Sequence, residues 1–292
     1  MKDVDLNKFK ITDSVQLESL PTALEDQPEK HELKKALKAT RKKMADWQDK
    51  LYAHNRYAVL VCLQGMDTAG KDSLVREVFK GFNSRGVVVH SFKTPTSREL
   101  KHDFLWRHYC ALPERGKFGV FNRTHYENVL VTKVHPEYIL NERLPGVTSI
   151  NDINENFWKR RYEEIHNFEK HISRNGIIVF KFFLNISKEE QRQRLLRRLR
   201  KPNKNWKFSP GDLEERKLWD AYRSSYEEAI NNTATKDLPW YVIPADSKHA
   251  ARYLVARIMQ EKLETYQEVQ EPSLPPDILE NLDDYRRQLE KE

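Results

Sequence analysis

The chain has 292 residues, beyond the usual single domain of roughly 100 to 200 but within reach of one large α/β domain with appended termini. Charged residues make up 33% and hydrophobic ones 38%, polar overall yet enough to bury a core once the apolar runs gather into strands, and the net charge is +7. Two cysteines in unlike settings, no signal-like start and no apolar stretch of about 18 residues argue against a disulfide framework, secretion or a membrane span, so the expectation is a cytoplasmic protein with reduced thiols.

Residues 1–30 lack a sustained period and contain Pro21 and Pro28, which reads as an extended N-terminal arm. Leu33, Leu37, Met44, Trp47 and Leu51 then recur at spacings of three, four and seven, predicting an amphipathic helix over 31–53. Its apolar stripe serves either core packing or a subunit contact. The run from Tyr57 to Leu63 is continuously apolar and fits a strand buried on both faces.

A glycine loop follows at once, and 72–83 reads as a helix. Further strands are predicted at 87–92, 118–122, 177–184 and 240–244. Helices are predicted near 97–111, 124–131, 152–175, 187–200, 212–233 and 248–265. This alternation implies βαβ units and a mostly parallel sheet with helices on both faces. Pro272, Pro275 and Pro276 precede a charged, peripheral tail helix in 267–292. The main domain is expected to span 31–266.

The loop Gly65-Met66-Asp67-Thr68-Ala69-Gly70-Lys71 leaves a buried strand and enters a helix. Such a turn aims several backbone N–H groups and the positive helix end at one point, where phosphate is the natural ligand. Gly65 and Gly70 permit close approach, Lys71 adds a mobile positive charge, and the spacing matches a Walker A loop. Thr68, Ala69, Gly70, Asp72 and Ser73 complete the candidate phosphate cradle. The Ser or Thr expected after the lysine, which would hold Mg²⁺, is replaced by Asp72, with Ser73 one place later. Asp67 is therefore the candidate metal ligand or substrate-orienting carboxylate. Asp72 is equally readable as an acid that stabilises the first turn of a helix.

A second signal is Phe118-Gly119-Val120-Phe121-Asn122-Arg123-Thr124-His125-Tyr126-Glu127. In P-loop folds the strand beside the first ends in an acid for the metal shell, a place held here by Asn122. Arg123 is then a candidate contact to the transferring phosphoryl group, with a salt bridge at a helix start as its alternative. Glu127 either replaces the missing carboxylate or is an ordinary helix glutamate.

The excess positive charge lies in residues 191–207, where Arg192, Arg194, Arg197, Arg198, Arg200, Lys201, Lys204 and Lys207 occur without an acid. The remainder of the chain is about neutral, so positive charge is concentrated where a polyanion can be gripped. Arg194 and Arg198 share one helical face, and Arg197 and Lys201 form a second pair beside them. The break at Lys201-Pro202 supplies a mobile segment able to close over a site. His102, His108, His125 and His135 assemble no metal pattern, and there is no Gly-x-Ser-x-Gly or catalytic cysteine context.

Taken together, the loop through Asp72, Phe92-Lys93-Thr94-Pro95-Thr96, His102-Asp103-Phe104-Leu105-Trp106-Arg107, Phe121 to Glu127, and Lys204-Asn205-Trp206-Lys207-Phe208-Ser209 resemble the polyphosphate kinase 2 family, specifically its class III members. The resemblance spans roughly residues 30 to 265. It implies a thymidylate-kinase-like P-loop fold with a helical lid at about 187–212, dependence on Mg²⁺ with Mn²⁺ as a substitute, and reversible transfer of a terminal phosphoryl group between inorganic polyphosphate and a nucleotide. By motif, Asp67 and Lys71 belong to the catalytic loop, Arg123 to the second motif, and Arg194 and Arg198 to the lid; Arg194, Arg198 and Lys204 are the candidate polyphosphate contacts there. Asn122 resembles the class III form, associated with accepting both AMP and ADP. Thr124 stands where serine is commoner and keeps the hydroxyl.

Candidate nucleotide contacts are Thr94, Thr96, Asn122 and Glu127. The implied partners are inorganic polyphosphate, AMP, ADP and ATP, with guanine nucleotides as further candidates, and other copies of the chain in a homo-oligomer. An ATP-dependent nucleoside or nucleotide kinase shares the same loop and lid. A nucleotide-sensing nucleic-acid-binding protein is disfavoured, because aromatic interleaving in the basic segment is limited to Trp206 and Phe208.

Overall fold

The computed structural model describes residues 4–292. Six strands, β1 (Lys10–Ile11), β2 (Ala58–Gly65), β3 (Val87–Ser91), β4 (Phe118–Asn122), β5 (Ile177–Asn185) and β6 (Trp240–Pro244), form one sheet in the order β1-β6-β5-β2-β4-β3. All neighbours are parallel except the antiparallel β1–β6 pair. Every residue of β2 is buried, as a strand covered on both faces requires. Its side chains alternate: Val59, Val61 and Leu63 join one apolar cluster, and Leu60 and Cys62 the other.

Helices cover both faces. On one side α1 (Lys30–His54) and α2 (Lys71–Val78) pack against α9 (Lys248–Glu264); on the other α4 (Glu127–Val134) and α5 (Glu155–Arg174) pack against α8 (Trp219–Thr233). Between them in the chain lie α3 (Trp106–Cys110), α6 (Lys188–Arg200) and α7 (Gly211–Lys217), and the tail carries α10 (Pro276–Glu280) and α11 (Leu282–Leu289). The stripe from Leu33 to Leu51 on α1 is buried in the main core, so of its two readings core packing holds. Each such large apolar side chain contributes about 1.5 to 3 kcal/mol on burial. Ser187 and Ser247 cap α6 and α9 by accepting from Glu190 and Ala250 amides.

Several expected elements differ. No helix spans 97–111: Glu99–Lys101 form a 3-10 turn, Asp103 Oδ1 accepts from the Leu105 amide, and α3 starts only at Trp106. The helix expected at 212–233 is two helices, broken at Leu218, and the one expected at 72–83 stops at Val78, short of Gly81 with φ +95°. The helix expected from 124 starts three residues later, because the Thr124 hydroxyl takes the Tyr126 amide in a local turn. The arm is more than a lead-in: Phe9 and Leu17 are buried, and β1 extends the sheet at β6.

From β2 the chain crosses to the edge at β3, returns to β4 beside β2, then passes to β5 on the other flank of β2. That reversal opens a crevice at the carboxyl ends of β2 and β4, the position where open α/β sheets bind ligands.

Candidate active site

The glycine loop fills that crevice. Gly65 has φ +155°, and a Cβ there would lie 3.0 Å from Leu184 Cβ and 3.1 Å from Ala69 Cβ, so only glycine lets the loop fold back onto β5. Gly70, at φ +109°, turns the chain into α2. Thr68 holds a left-handed φ of +63°, a strained choice for a β-branched residue. The carbonyls of Thr68 and Ala69 accept from Arg194 Nη1 at 3.0 and 2.8 Å, which holds that strain in place.

Lys71 Nζ lies 2.5 Å from the Gly65 carbonyl. Burial lowers its pKa, Glu127 opposes that shift, Arg123 adds to it, and Asp67 and Asp72 oppose it in turn. These five side chains therefore share one electrostatic neighbourhood.

At the end of β4, Asn122 pairs in register with Leu63 and donates from Nδ2 to Asp72 Oδ1 at 2.6 Å. Arg123 follows at φ +62°, a second strained residue in the crevice. Thr124 supports this turn, its hydroxyl accepting from Gln64 Nε2 at 3.1 Å and from the Tyr126 amide. Among the described residues the Arg123 guanidinium makes no hydrogen bond or ion pair, so the salt-bridge reading of Arg123 fails.

Two cavities meet at this arginine. The larger, about 810 Å³, is walled by the loop, α6, the 202–207 turn and the start of α9. Twelve of its lining residues are Lys or Arg and only two, Asp67 and Asp72, are carboxylates, which is the electrostatics of a polyanion cleft. The smaller, about 300 Å³, mixes Phe104, Val131 and Tyr138 with Asn128, Asp103 and Glu142. Its aromatic wall is fixed by cations, with the Arg161 guanidinium 4.0 Å from the Phe104 ring centre and Arg161 ion-paired to Glu142. Phe92, Lys93, Thr94 and Arg123 line both.

Of the candidate residues, Asp67, Thr68, Ala69, Gly70, Lys71, Asp72, Ser73, Asn122, Arg194, Arg198 and Lys204 line the larger cavity, Thr94 and Arg123 both, and Glu127 the smaller. Gly65 and Thr96 line neither. Gly65 shapes the turn from beneath, and Thr96 exchanges hydrogen bonds with Glu99 to cap the 99–101 turn. Sequence reasoning missed Lys93, Arg76, Lys248 and Arg252. Lys248 and Arg252, four apart on a helix otherwise turned to the core, were the available signal.

Mg²⁺ takes oxygen ligands, commonly one or two carboxylates completed by phosphate and water. Asp67 Oδ2 and Asn122 Oδ1 are buried oxygens that accept no hydrogen bond, both on the cleft, and the nearest cation to Asp67 Oδ2 is Arg198 at 3.7 Å. Among the described residues no three His, Cys, Asp or Glu side chains form a cage. The donor set thus fits a divalent ion shared with a phosphate.

A parallel sheet, a Gly-x4-Gly-Lys loop at its reversal and a cationic cleft opening onto a nucleotide-sized cavity define a P-loop-kinase-like α/β protein. The family model for polyphosphate kinase 2 (PPK2) matches residues 27–272, and the chain belongs to that family. It is 45% identical over 261 residues, 89% of this chain and 88% of the relative, to the ADP-polyphosphate phosphotransferase of Rhodopseudomonas palustris. It is 44% identical over 229 residues, 78% and 80% of the two chains, to the AMP/ADP-polyphosphate phosphotransferase of Meiothermus ruber. The crystal structure of polyphosphate kinase 2 from Arthrobacter aurescens superposes with a TM-score of 0.87 at 33% identity, over 97% of this chain and 95% of that one. Among the described residues no helix is long and apolar enough to cross a membrane.

Proposed function

We propose that this chain transfers the terminal phosphoryl group of inorganic polyphosphate to AMP or ADP, reversibly and directly, with polyphosphate in the larger cavity and the nucleotide in the smaller. The observation that carries this reading is Arg123, unpaired and held at φ +62° where the two cavities meet. Twelve cationic side chains far exceed what one triphosphate needs, which favours a long chain over ATP as the donor.

Catalysis then rests on positioning and charge, since phosphoryl transfer requires little covalent participation by protein. The loop amides and Lys71 hold the terminal phosphoryl oxygens. Arg123 spans donor and acceptor and stabilises charge as it shifts between them. Asp67 and Asn122 would hold Mg²⁺, which neutralises phosphate charge when bound. Phe104 and Tyr138 offer the apolar surface against which a base packs, and Glu127 lies on the acceptor side near Lys71. Arg198 and Lys204 draw the distal chain into the cleft, and the 201–207 segment closes over it. ATP is the product from ADP; guanine nucleotides and a homo-oligomeric assembly belong to the same reading.

Incubating the enzyme with ADP, polyphosphate and Mg²⁺ in the absence of ATP, and following ³¹P NMR, tests it. Appearance of the ATP β-phosphate signal is expected. An enzyme that phosphorylates nucleosides or nucleotides only when ATP is supplied is instead an ATP-dependent kinase.

A further inference from the structure

Arg194 faces the cleft but has nothing left to offer a phosphate. All five of its N–H groups are engaged: Nε donates to Glu190 Oε1 at 2.7 Å, Nη1 to the Thr68 and Ala69 carbonyls, and Nη2 to the Ala245 and Asp246 carbonyls at 2.6 and 2.9 Å. The side chain is 6% exposed. Arg198, one turn on, contrasts with it. Its contacts to Lys207, Asp212 and Asp67 all run through Nη1, so among the described residues Nε and Nη2 face no partner.

The carbonyls that Arg194 takes decide where the loop amides point. Drawing the Ala69 oxygen toward α6 turns the Gly70 N–H the other way, into the cleft, while the Ala69 N–H closes the loop on the Met66 carbonyl at 3.0 Å; the bond to the Thr68 oxygen stabilises its left-handed conformation. The second half of the guanidinium is anchored beyond β6 at Asp246. That residue is itself clamped by the N-terminal arm, with Thr22 Oγ1 donating to Asp246 Oδ2 at 2.8 Å and the Asp246 amide to the Thr22 carbonyl at 2.9 Å, and by the α6 N-cap, where the Ser187 amide donates to Asp246 Oδ1 at 2.8 Å. The arm in turn is pinned by Asn231, Glu227 and Asn185, which bond to the backbone of Val15, Leu17 and Leu20.

We propose that Arg194 is a positioning residue that sets the phosphate loop, and that the arm, through Thr22 and Asp246, sets Arg194. This rests on the phosphotransfer reading above. Four links, Thr22, Asp246, Arg194 and the 68–69 carbonyls, connect a segment outside the cleft to the orientation of the amides that hold the reacting phosphoryl group. Lysine cannot replace the guanidinium, because a single ammonium cannot bridge four carbonyls that lie on two separate elements.

Three variants and two readouts, steady-state kinetics and amide hydrogen exchange, test this. Arg194→Lys keeps the charge, and misplacement of the loop is expected to lower kcat by about 10²-fold while the KM for polyphosphate stays within about threefold. Arg198→Ala, a direct chain contact, is expected to do the reverse and raise that KM. Thr22→Val lies outside the cleft and replaces a hydroxyl by a methyl at a half-buried site. It is expected to speed amide hydrogen exchange at residues 68–71 and lower kcat several-fold with KM unchanged. Polyphosphate KM raised tenfold with kcat intact in Arg194→Lys would make Arg194 a chain ligand and overturn the proposal. Loop exchange in Thr22→Val identical to wild type would overturn the link to the arm, and decides that point even if Arg194→Lys does not fold. Exchange is read without substrate, so a wild-type enzyme inactive with polyphosphate refutes the functional reading while leaving the positioning claim to be judged separately.

Discussion

The Asn122 side-chain amide donates to Asp72 Oδ1 at 2.6 Å, tying the end of β4 to the first turn of α2 across the floor of the cleft. The amide supplies the donor that two carboxylates could not. Asn122→Asp places like charges in contact, which raises the pKa of one and removes a hydrogen bond to a charged group. We expect a loss of about 2 kcal/mol at neutral pH without divalent ions, and a larger recovery on adding Mg²⁺ than in the wild type. Thermal melts with and without Mg²⁺ check this; a variant as stable as wild type in chelator would show that the contact carries no weight.

Lys71 and Arg123 both line the larger cavity, and Arg123 the smaller as well. Lys71→Ala and Arg123→Ala are expected to remain folded and to lose about 10²-fold or more in kcat, since one preorganised charge contact to the transition state is worth about 3 kcal/mol. Steady-state kinetics with circular dichroism as the folding control decide it. Wild-type turnover in either variant removes that residue from the mechanism.

Lys248 predicts a pH dependence. Burial, reinforced by Arg194 and Arg197, lowers its pKa to about 8. The side chain is a cation below that pH and neutral above it, so the KM for polyphosphate should rise between pH 7 and 9. Lys248→Arg keeps its charge through this range and should flatten the rise. Measuring KM against pH at constant ionic strength tests the assignment, and a profile unchanged by the substitution would count against it.

Beneath the Arg123 turn lies a fully buried polar network. Lys181 Nζ meets Glu169 Oε2 at 2.8 Å, and Glu169 Oε1 receives the Tyr126 hydroxyl and faces His125 Nε2. Burial pushes the Glu169 carboxyl up, but Lys181 and His125 together outweigh it and hold the pKa at about 2. Because the folded value is depressed below the ordinary 4.5, this stability is present above pH 4.5 and is lost as pH falls toward 2. Its size is on the order of 3 kcal/mol. Glu169→Gln leaves the Lys181 ammonium buried without its counter-charge and should cost about 3 to 5 kcal/mol at pH 7, while flattening the acid limb. Urea unfolding at pH 7 and at pH 4 and below measures both.

The strands and the phosphate loop were legible because their signals are local. Every residue from Ala58 to Gly65 is buried, and the apolar run announced that directly. What escaped is set by contacts distant in sequence. The 97–111 segment has helical composition, but Asp103 Oδ1 takes the Leu105 amide in a local turn and Arg107 reaches back to the Lys93 carbonyl. Charge spacing placed Arg194 and Arg198 on one face correctly, yet nothing in the spacing distinguishes a guanidinium occupied by four backbone carbonyls from one with free donors. Lys248 and Arg252 reach the cleft only because β6 ends beside it, a fact of sheet order. The role of the arm was illegible for the same reason, since the partners of Thr22 and Val15 lie more than two hundred residues away.

The central claim is a direct transfer between two adjoining cavities across Arg123. Stereochemistry reads that most directly. With polyphosphate whose terminal phosphoryl group is made chiral by oxygen isotopes, and ADP as acceptor, one in-line displacement predicts inversion of configuration in the γ-phosphate of ATP. Retention would mean an even number of displacements through an enzyme-bound intermediate, and would contradict the account.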